Sequence, residues 1–234
     1  MEKITSGIED FDTYLGGGYP EGKGILIKGP TGSGKTIFGI HFLYSNCSAG
    51  KKGLLILTRG LLEDLLLQSK ALGMDLEPFI DSGTLLVENV FENRIRETIS
   101  SSRLGKGLEI REKDRVSQIK IISKDVDVVV QDSLGAFTGT NGCAGEEPFK
   151  KFDPIYRILA EHGCTSLFLI DDRAHRQLNG FADYLVFGKI ELKLREDAVS
   201  GKFSRYLSVT KMRATELSLE NVLYETTSAG IRIK

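Results

Sequence analysis

The segment ILIKGPTGSGKT, residues 25–36, determines how the rest of the chain is interpreted. Its first three residues form an apolar run typical of a buried strand. Its last eight match the pattern Gly-x-x-x-x-Gly-Lys-[Ser/Thr] of a P-loop. A helix is predicted to begin at about Thr36, because apolar side chains recur from there at intervals of three and four residues. A strand, a glycine-rich turn and a helix in this order form the context in which the pattern binds phosphate.

The residue types of the loop have separate roles in phosphate binding. Glycines permit the tight turn that brings backbone N–H groups to phosphate oxygens. Lys35 is expected to reach the β- and γ-phosphates and Thr36 to offer its hydroxyl to Mg²⁺, while the amide of Ile37 faces the α-phosphate. The predicted nucleotide-binding residues are Gly29, Pro30, Thr31, Gly32, Ser33, Gly34, Lys35, Thr36 and Ile37.

A Mg²⁺ site also needs a carboxylate opposite Thr36, and Asp132 is the candidate. It ends the run Val-Val-Val-Gln of residues 128–131, at the carboxyl end of a predicted parallel strand, where ligands of such sheets collect. The alternative is that Asp132 only caps a turn with Ser133. We expect Thr36 and Asp132 to be the metal ligands.

Outside this segment, short apolar runs alternate with amphipathic stretches. This order predicts an α/β fold, a mostly parallel sheet flanked by helices. Further strands are predicted at 53–57, 84–87, 126–130 and 165–170, with the β-branched run at 126–130 as the central strand. From Ala182 onward the hydrophobic period changes from 3.6 to 2, which predicts a C-terminal antiparallel extension. We expect one domain, residues 1–234.

Composition and charge exclude several classes of protein. The 234 residues are 41% apolar and 27% charged, which is typical of a globular chain. No apolar run approaches the roughly 18 residues of a membrane helix, and the N-terminus lacks the core of a secretory signal. A net charge of −1 argues against a dedicated nucleic-acid or anionic-membrane binder. Three cysteines without metal-ligand spacing are interpreted as reduced thiols, so a cytoplasmic protein is expected.

Three segments resemble the KaiC-like branch of the RecA superfamily of ATPases. They are ITSGIEDFDTYLGGGYPEGKGILIKGPTGSGKTIFGIHFL, VDVVVQDSL and RYLSVTKMRATE. The resemblance implies a RecA-type fold, ATP with Mg²⁺ at the P-loop, and a homo-oligomer. Related proteins form rings, usually hexamers, with ATP bound between neighbouring subunits.

The last segment contains an element with a role in this family. A Lys-Met-Arg sequence points at the neighbouring subunit's ATP, with the arginine acting as a finger in trans. It corresponds here to Lys211, Met212 and Arg213, although the usual following Gly and His are Ala214 and Leu217. Lys211 and Arg213 are two apart on a predicted strand and should project from one face. The alternative is two solvated charges on an edge strand.

One departure from the family affects catalysis. The resemblance implies two adjacent glutamates after the second strand, and these activate the attacking water. Arg59 and Gly60 stand there instead, and Glu63 is predicted to point along a helix. General-base catalysis contributes typically ~10²–10⁴-fold, so slow hydrolysis is predicted. Two alternatives remain open: Asp171 or Asp172, at the end of the 165–170 strand, positions water or Mg²⁺, or Arg59 contacts the γ-phosphate. The two aspartates could equally well only cap the turn that follows their strand.

Recombinases share this superfamily, so DNA binding is an alternative function. The loop that follows Asp132 carries Glu146 and Glu147 against only Lys150 and Lys151 at its edge, and it has little of the aromatic and arginine content that stacks bases. Residues 101–124 are mildly basic, with seven lysines and arginines against three acidic residues, as on a solvated helix face. Nucleic acid is therefore not the expected partner.

The expected function is regulatory or assembly-related. ATP occupancy would set ring formation and expose or hide a surface for an unidentified protein partner, in the general style of archaellum accessory proteins of this superfamily. The alternatives are an active ATPase with an unrecognised base and a recombinase paralogue that binds single-stranded DNA. Autokinase activity is not expected, because the family places it in a second tandem domain.

Overall fold

Strands and helices alternate along most of the chain in the computed structural model. It describes residues 1–58, 60–90, 125–134, 149–173, 176–196, 201–216 and 219–234. The strands are β1 Lys3–Ile4, β2 Tyr19–Pro20, β3 Gly24–Gly29, β4 Gly53–Leu57, β5 Leu85–Asn89, β6 Val128–Asp132, β7 Thr165–Asp171, β8 Gly188–Glu196, β9 Phe203–Met212, β10 Val222–Thr227 and β11 Gly230–Ile233. The helices are α1 Glu9–Tyr14, α2 Lys35–Ser48, α3 Leu62–Ala71, α4 Glu77–Asp81, α5 Phe149–Glu161 and α6 Arg176–Leu185.

Nine of these strands form one sheet in the order β11-β10-β9-β8-β3-β7-β6-β4-β5. From β8 to β5 all neighbours are parallel, whereas β9, β10 and β11 pair antiparallel. The predicted fold class is therefore confirmed. Strand β6 lies inside the parallel part, but the prediction that it is the central strand is wrong. The middle strand of the nine is β3, which leads into the P-loop.

Helices cover the sheet on both faces, and each face has its own core. On one face α2 and α3 contribute Phe38, Ile40 and Leu65 to a cluster with the strands. On the other, α5 and α6 contribute Phe152 and Leu178. Both faces of β3, β4, β6 and β7 are buried, which is why those four strands are nearly continuous apolar runs. In the described part of the chain, no helix is long and apolar enough to cross a membrane.

The predicted change of period at Ala182 is wrong. Helix α6 continues to Leu185, and Ala182 is buried one turn after Leu178 in the core under that helix. Because α6 is a crossover helix, β8 runs parallel to β3, so the antiparallel extension begins only with β9. Within β8 the burial alternates as predicted, with Ile190 and Leu192 inside.

Some predictions fall outside the described residues. They concern Arg59, the basic segment at 101–124, the loop with Glu146 and Glu147, and Leu217. The DNA-binding hypothesis depends on two of these segments and remains untested.

Candidate functional site

The P-loop joins the carboxyl end of β3 to the amino end of α2. Gly32 and Gly34 have φ angles of +82° and +89°, a conformation that residues with a side chain rarely adopt. Gly34 is the N-cap of α2, so the loop ends where the helix directs its first N–H groups outward. The amide of Ile37 donates to Gly34 O at 2.9 Å, within this first turn.

The Lys35 side chain folds back over the loop. Its Nζ donates to Gly29 O at 2.7 Å and to Pro30 O at 2.9 Å, and it lies 3.6 Å from Asp171 Oδ2. Only 12% of the side chain is exposed. The lysine charge is therefore held inside the loop, where phosphate oxygens of a P-loop ligand bind.

Thr36 and Asp132 meet at the start of α2, as the sequence predicts. Thr36 Oγ1 donates to Asp132 Oδ2 at 2.7 Å, although the two residues are 96 apart in the chain. Burial raises the pKa of Asp132, against the opposing effects of the Thr36 hydrogen bond and the Lys35 charge. A hydroxyl and a carboxylate at one point fit Mg²⁺, which takes oxygen ligands and commonly uses few from the protein.

Thr58, at the end of β4, supports Asp132 from the neighbouring strand. Its backbone N–H donates to Asp132 O at 2.8 Å, and its hydroxyl donates to Ser133 O at 2.5 Å. The strand end that carries Asp132 is thereby fixed relative to the end of β4.

Asp171, at the end of β7, contacts the other side of the loop. Its Oδ2 accepts from Thr31 Oγ1 at 3.0 Å, and its Oδ1 accepts from the N–H of Arg173 at 3.0 Å. Burial alone would raise the pKa of Asp171, but these two hydrogen bonds, the Lys35 charge and a side-chain hydrogen bond with Asp172 together lower it. The backbone N–H of Asp172 also lies 3.2 Å from Gly29 O.

Two residues of the C-terminal strands also contact the loop, and the sequence analysis missed both. Arg205 on β9 donates from Nε to Gly32 O at 3.3 Å, and Tyr224 on β10 donates its hydroxyl to Ser33 O at 2.5 Å. Arg205 begins the RYLSVTKMRATE segment of the family resemblance, so that segment could have identified it as a site residue. Nothing in the sequence pattern distinguishes Tyr224 from other strand residues.

These groups surround a cavity of about 480 Å³. This volume is within the range of small-molecule and cofactor sites. Lys35 and Arg205 bring positive charge to it, and Asp132 and Asp171 bring negative charge. Its lining comprises Thr31, Gly32, Gly34, Lys35, Thr36, Ile37, Gln68, Asp132, Ser133, Asp171, Arg205 and Thr226.

Lys211 and Arg213 lie at the opposite end of the sheet. Gly188 pairs with Ile25 at the start of β3 and with Met212 on β9, whereas the P-loop follows the end of β3. Lys211 donates to the carbonyls of Asp183 and Tyr184, and Arg213 also donates to the carbonyl of Tyr184. Both cations therefore lie near the amino end of β3, about 13 Å along that strand from the P-loop of the same chain.

His41 on α2 is a buried histidine with hydrogen bonds at both ring nitrogens. Its Nδ1 lies 3.0 Å from Gly7 O, and its Nε2 accepts from the N–H of Ile231 at 2.9 Å. The neutral imidazole therefore joins both ends of the chain to the helix of the P-loop. Burial lowers the pKa of His41.

The parallel sheet, the P-loop after its middle strand and the aspartate on β6 define a RecA-type P-loop ATPase. The model of the KaiC ATPase family matches residues 4–234, and the chain belongs to that family.

Curated relatives cover almost the whole chain. A UPF0273 protein of Methanopyrus kandleri is 27% identical over 240 residues, covering 100% of this chain and 92% of its own. The archaeal flagellar ATP-binding protein FlaH of Sulfolobus acidocaldarius is 26% identical over 236 residues, covering 98% of this chain and 96% of its own. The crystal structure of a KaiC-like protein from Pyrococcus horikoshii shares the fold, with a TM-score of 0.77, 24% identity and coverage of 100% and 99%.

Proposed function

We propose that the protein is an ATP-dependent regulatory or assembly protein whose P-loop binds ATP with Mg²⁺. The observation that carries this proposal is the meeting of Lys35, Thr36 and Asp132 around one cavity. Membership of an ATPase family implies nucleotide binding, and a relative similar along nearly its full length is named an ATP-binding protein.

Each part of the cavity has a role toward the nucleotide. The P-loop amides and Lys35 would bind the phosphates, and Thr36 and Asp132 would hold Mg²⁺. The bound cation would neutralise charge between the β- and γ-phosphates. Arg205 would add a second positive charge, because its guanidinium reaches the loop at Gly32.

We further propose that the site is shared between subunits of a ring, with a hexamer as the form expected from the family. Lys211 and Arg213 are too far from their own P-loop to serve it, but a neighbouring subunit can present its own pair there. The Arg59-Gly60 sequence in place of two glutamates supports slow hydrolysis. ATP occupancy, rather than rapid turnover, would then control assembly and access to a protein partner.

The test combines light scattering with measurement of phosphate release. Wild type, Lys35→Ala and Arg213→Ala are compared with and without ATP and Mg²⁺. We expect ATP to raise the mass of the wild type while phosphate release stays slow. Lys35→Ala should lose both ATP binding and assembly, whereas Arg213→Ala should still bind ATP but fail to assemble.

Two control variants remove a lysine and an arginine at the surface, to match the changes at Lys35 and Arg213. Lys51 and Arg157 form ion pairs with Glu21 and Asp153 at the surface, away from the cavity lining. Lys51→Ala and Arg157→Ala should assemble like the wild type. An ATP-independent mass, or assembly of Arg213→Ala equal to that of the wild type, would contradict the shared site.

A further inference from the structure

Two carboxylates flank the P-loop and contact different parts of it. Asp132 bonds to Thr36, at the start of α2. Asp171 bonds to Thr31, in the middle of the loop, and lies 3.6 Å from the ammonium of Lys35. The proposed Mg²⁺ site uses Thr36 and Asp132, and Asp171 is a second carboxylate that lines the cavity.

The contacts of Asp171 place it at the terminal-phosphate end of the site. The lysine of a P-loop reaches the β- and γ-phosphates, so a carboxylate paired with Lys35 lies beside that part of the ligand. Asp171 lines the cavity and its side chain is 27% exposed, which allows water to reach it. Asp172 does not line the cavity and holds Gly29 through its backbone only.

We propose that Asp171 is the carboxylate that positions the attacking water for hydrolysis of the terminal phosphate. This inference rests on the proposed binding of ATP at the P-loop. In the step, the water oxygen forms a bond to the γ-phosphorus while the bond from that phosphorus to the β–γ bridging oxygen breaks. The bridging oxygen keeps the electron pair and leaves with ADP, and a carboxylate oxygen of Asp171 accepts the proton of the water and later releases it to solvent.

The hydrogen bonds around Asp171 suit this role. The Arg173 amide holds Oδ1 and the Thr31 hydroxyl holds Oδ2, so the carboxylate has a fixed orientation. The same partners keep its pKa below the ordinary value, so it is ionised throughout the neutral range. A weakly basic carboxylate orients water well but accepts its proton poorly, which agrees with slow hydrolysis.

The test uses the full chain under single-turnover conditions, with enzyme in excess over labelled ATP and Mg²⁺. Asp171→Asn keeps the size of the side chain and removes its charge. Asp75→Asn is a matched control, because Asp75 also accepts from the amide two residues later, at 3.1 Å, and pairs with a lysine, Lys70, at 3.8 Å. Asp75 is not among the residues lining the cavity.

We expect the rate constant of phosphate release to fall about 10²-fold or more in Asp171→Asn, the lower end of a typical general-base contribution. The dissociation constant for ATP should change by less than about threefold, which is under 1 kcal/mol. Asp75→Asn should match the wild type in both measurements. Asp171→Glu should recover part of the rate, and the wild-type rate constant should not vary with pH across the neutral range.

Three results would overturn the inference. One is phosphate release from Asp171→Asn at the wild-type rate. Another is weaker ATP binding by Asp171→Asn that accounts for its whole defect, which would indicate a binding role only. The third is a wild type that binds ATP and releases no phosphate. By contrast, a wild type that fails to bind ATP would contradict the proposed function itself.

Discussion

The hydroxyl of Tyr224 donates a hydrogen bond to the carbonyl oxygen of Ser33 across 2.5 Å, in a position where only 2% of the tyrosine is exposed. This contact joins β10 to the middle of the P-loop, 191 residues earlier in the chain. The phosphate-binding loop is thus supported by the antiparallel extension as well as by the parallel sheet.

Replacing this tyrosine should therefore destabilise the protein. Tyr224→Phe keeps the ring, which packs edge-to-face on Phe38, but leaves Ser33 O without its donor. A typical intramolecular hydrogen bond contributes about 1 kcal/mol, so we expect a loss of that size in the free energy of unfolding by urea. Tyr184→Phe is the control, because Tyr184 is 76% exposed, and it should show no change.

Arg205 should strengthen nucleotide binding. Arg205→Ala removes the guanidinium that reaches Gly32 O at 3.3 Å, and ATP affinity measured by calorimetry should fall about tenfold, or roughly 1.4 kcal/mol. Arg195 on the adjacent strand lies over the ring of Tyr206 and is not among the cavity-lining residues. Equal affinities of Arg205→Ala and Arg195→Ala would show that Arg205 has no specific role.

The pair of Thr36 and Asp132 should make ATP binding depend on Mg²⁺. Asp132→Asn removes the negative charge opposite Thr36, and we expect the gain in ATP affinity on adding Mg²⁺ to fall about 10- to 100-fold, as with other residues that support metal sites. Asp127→Asn is the control. Asp127 directly precedes β6, at the end of the strand opposite to Asp132, and its carboxylate accepts from the Lys52 amide. A metal dependence unchanged by Asp132→Asn would exclude Asp132 as a ligand.

His41 should make stability depend on pH. Its pKa is lowered by burial, and its Nε2 must stay unprotonated to accept from Ile231. The unfolded chain therefore binds more protons below the ordinary histidine pKa of about 6.5, and the free energy of unfolding should fall as pH drops through that value toward the folded pKa.

Denaturation of two variants at several pH values checks this assignment. His41→Gln should be about 1–3 kcal/mol less stable than the wild type near pH 7.5, because the glutamine side chain no longer hydrogen-bonds well to both Gly7 O and the N–H of Ile231. The difference should shrink as the pH falls. His162→Gln, at an exposed position, should keep the wild-type dependence on pH. If His41→Gln keeps the wild-type dependence of stability on pH, a group other than His41 causes that dependence.

Ala214 occupies a position that favours glycine. Its φ angle is +54°, and a left-handed conformation costs a residue with a side chain roughly 1–2 kcal/mol. Ala214→Gly should therefore raise the free energy of unfolding by about 0.5–1 kcal/mol after the entropy cost of glycine. Gly73→Ala, at φ +71° with no atom within 4 Å of the added methyl group, should do the reverse. Lower stability of Ala214→Gly would contradict this explanation.

The sequence predicted the site wherever local pattern and chemistry coincide. The P-loop needs particular residues at fixed spacing, so Lys35 and Thr36 were identifiable without coordinates. Asp132 was identifiable because a β-branched run marks a buried parallel strand and ligands collect at the end of such strands. The alternation in β8 likewise reflects one covered face and one open face.

Other features depend on the order of the strands, which periodicity does not encode. Helix α6 was missed because the change of period was placed at Ala182, inside the helix, although Leu178, Ala182 and Leu185 recur at helical spacing. The parallel direction of β8 was missed with it, because that direction depends on the crossover helix. Asp171 and Asp172 were equivalent in the sequence, and only the packing of β7 beside β3 places Asp171 against Thr31 and Lys35.

By itself, then, the sequence predicted the class of ligand, the loop proposed to bind it and the α/β fold, because these depend on local residue types. Tertiary structure decided which distant residues complete the site. Arg205 and Tyr224 reach the P-loop because β8, β9 and β10 extend the sheet beyond β3. Lys211 and Arg213 lie away from it because β9 runs antiparallel to β8. The start of β9 brings Arg205 to the P-loop, and its end carries the other two cations to the opposite end of the sheet.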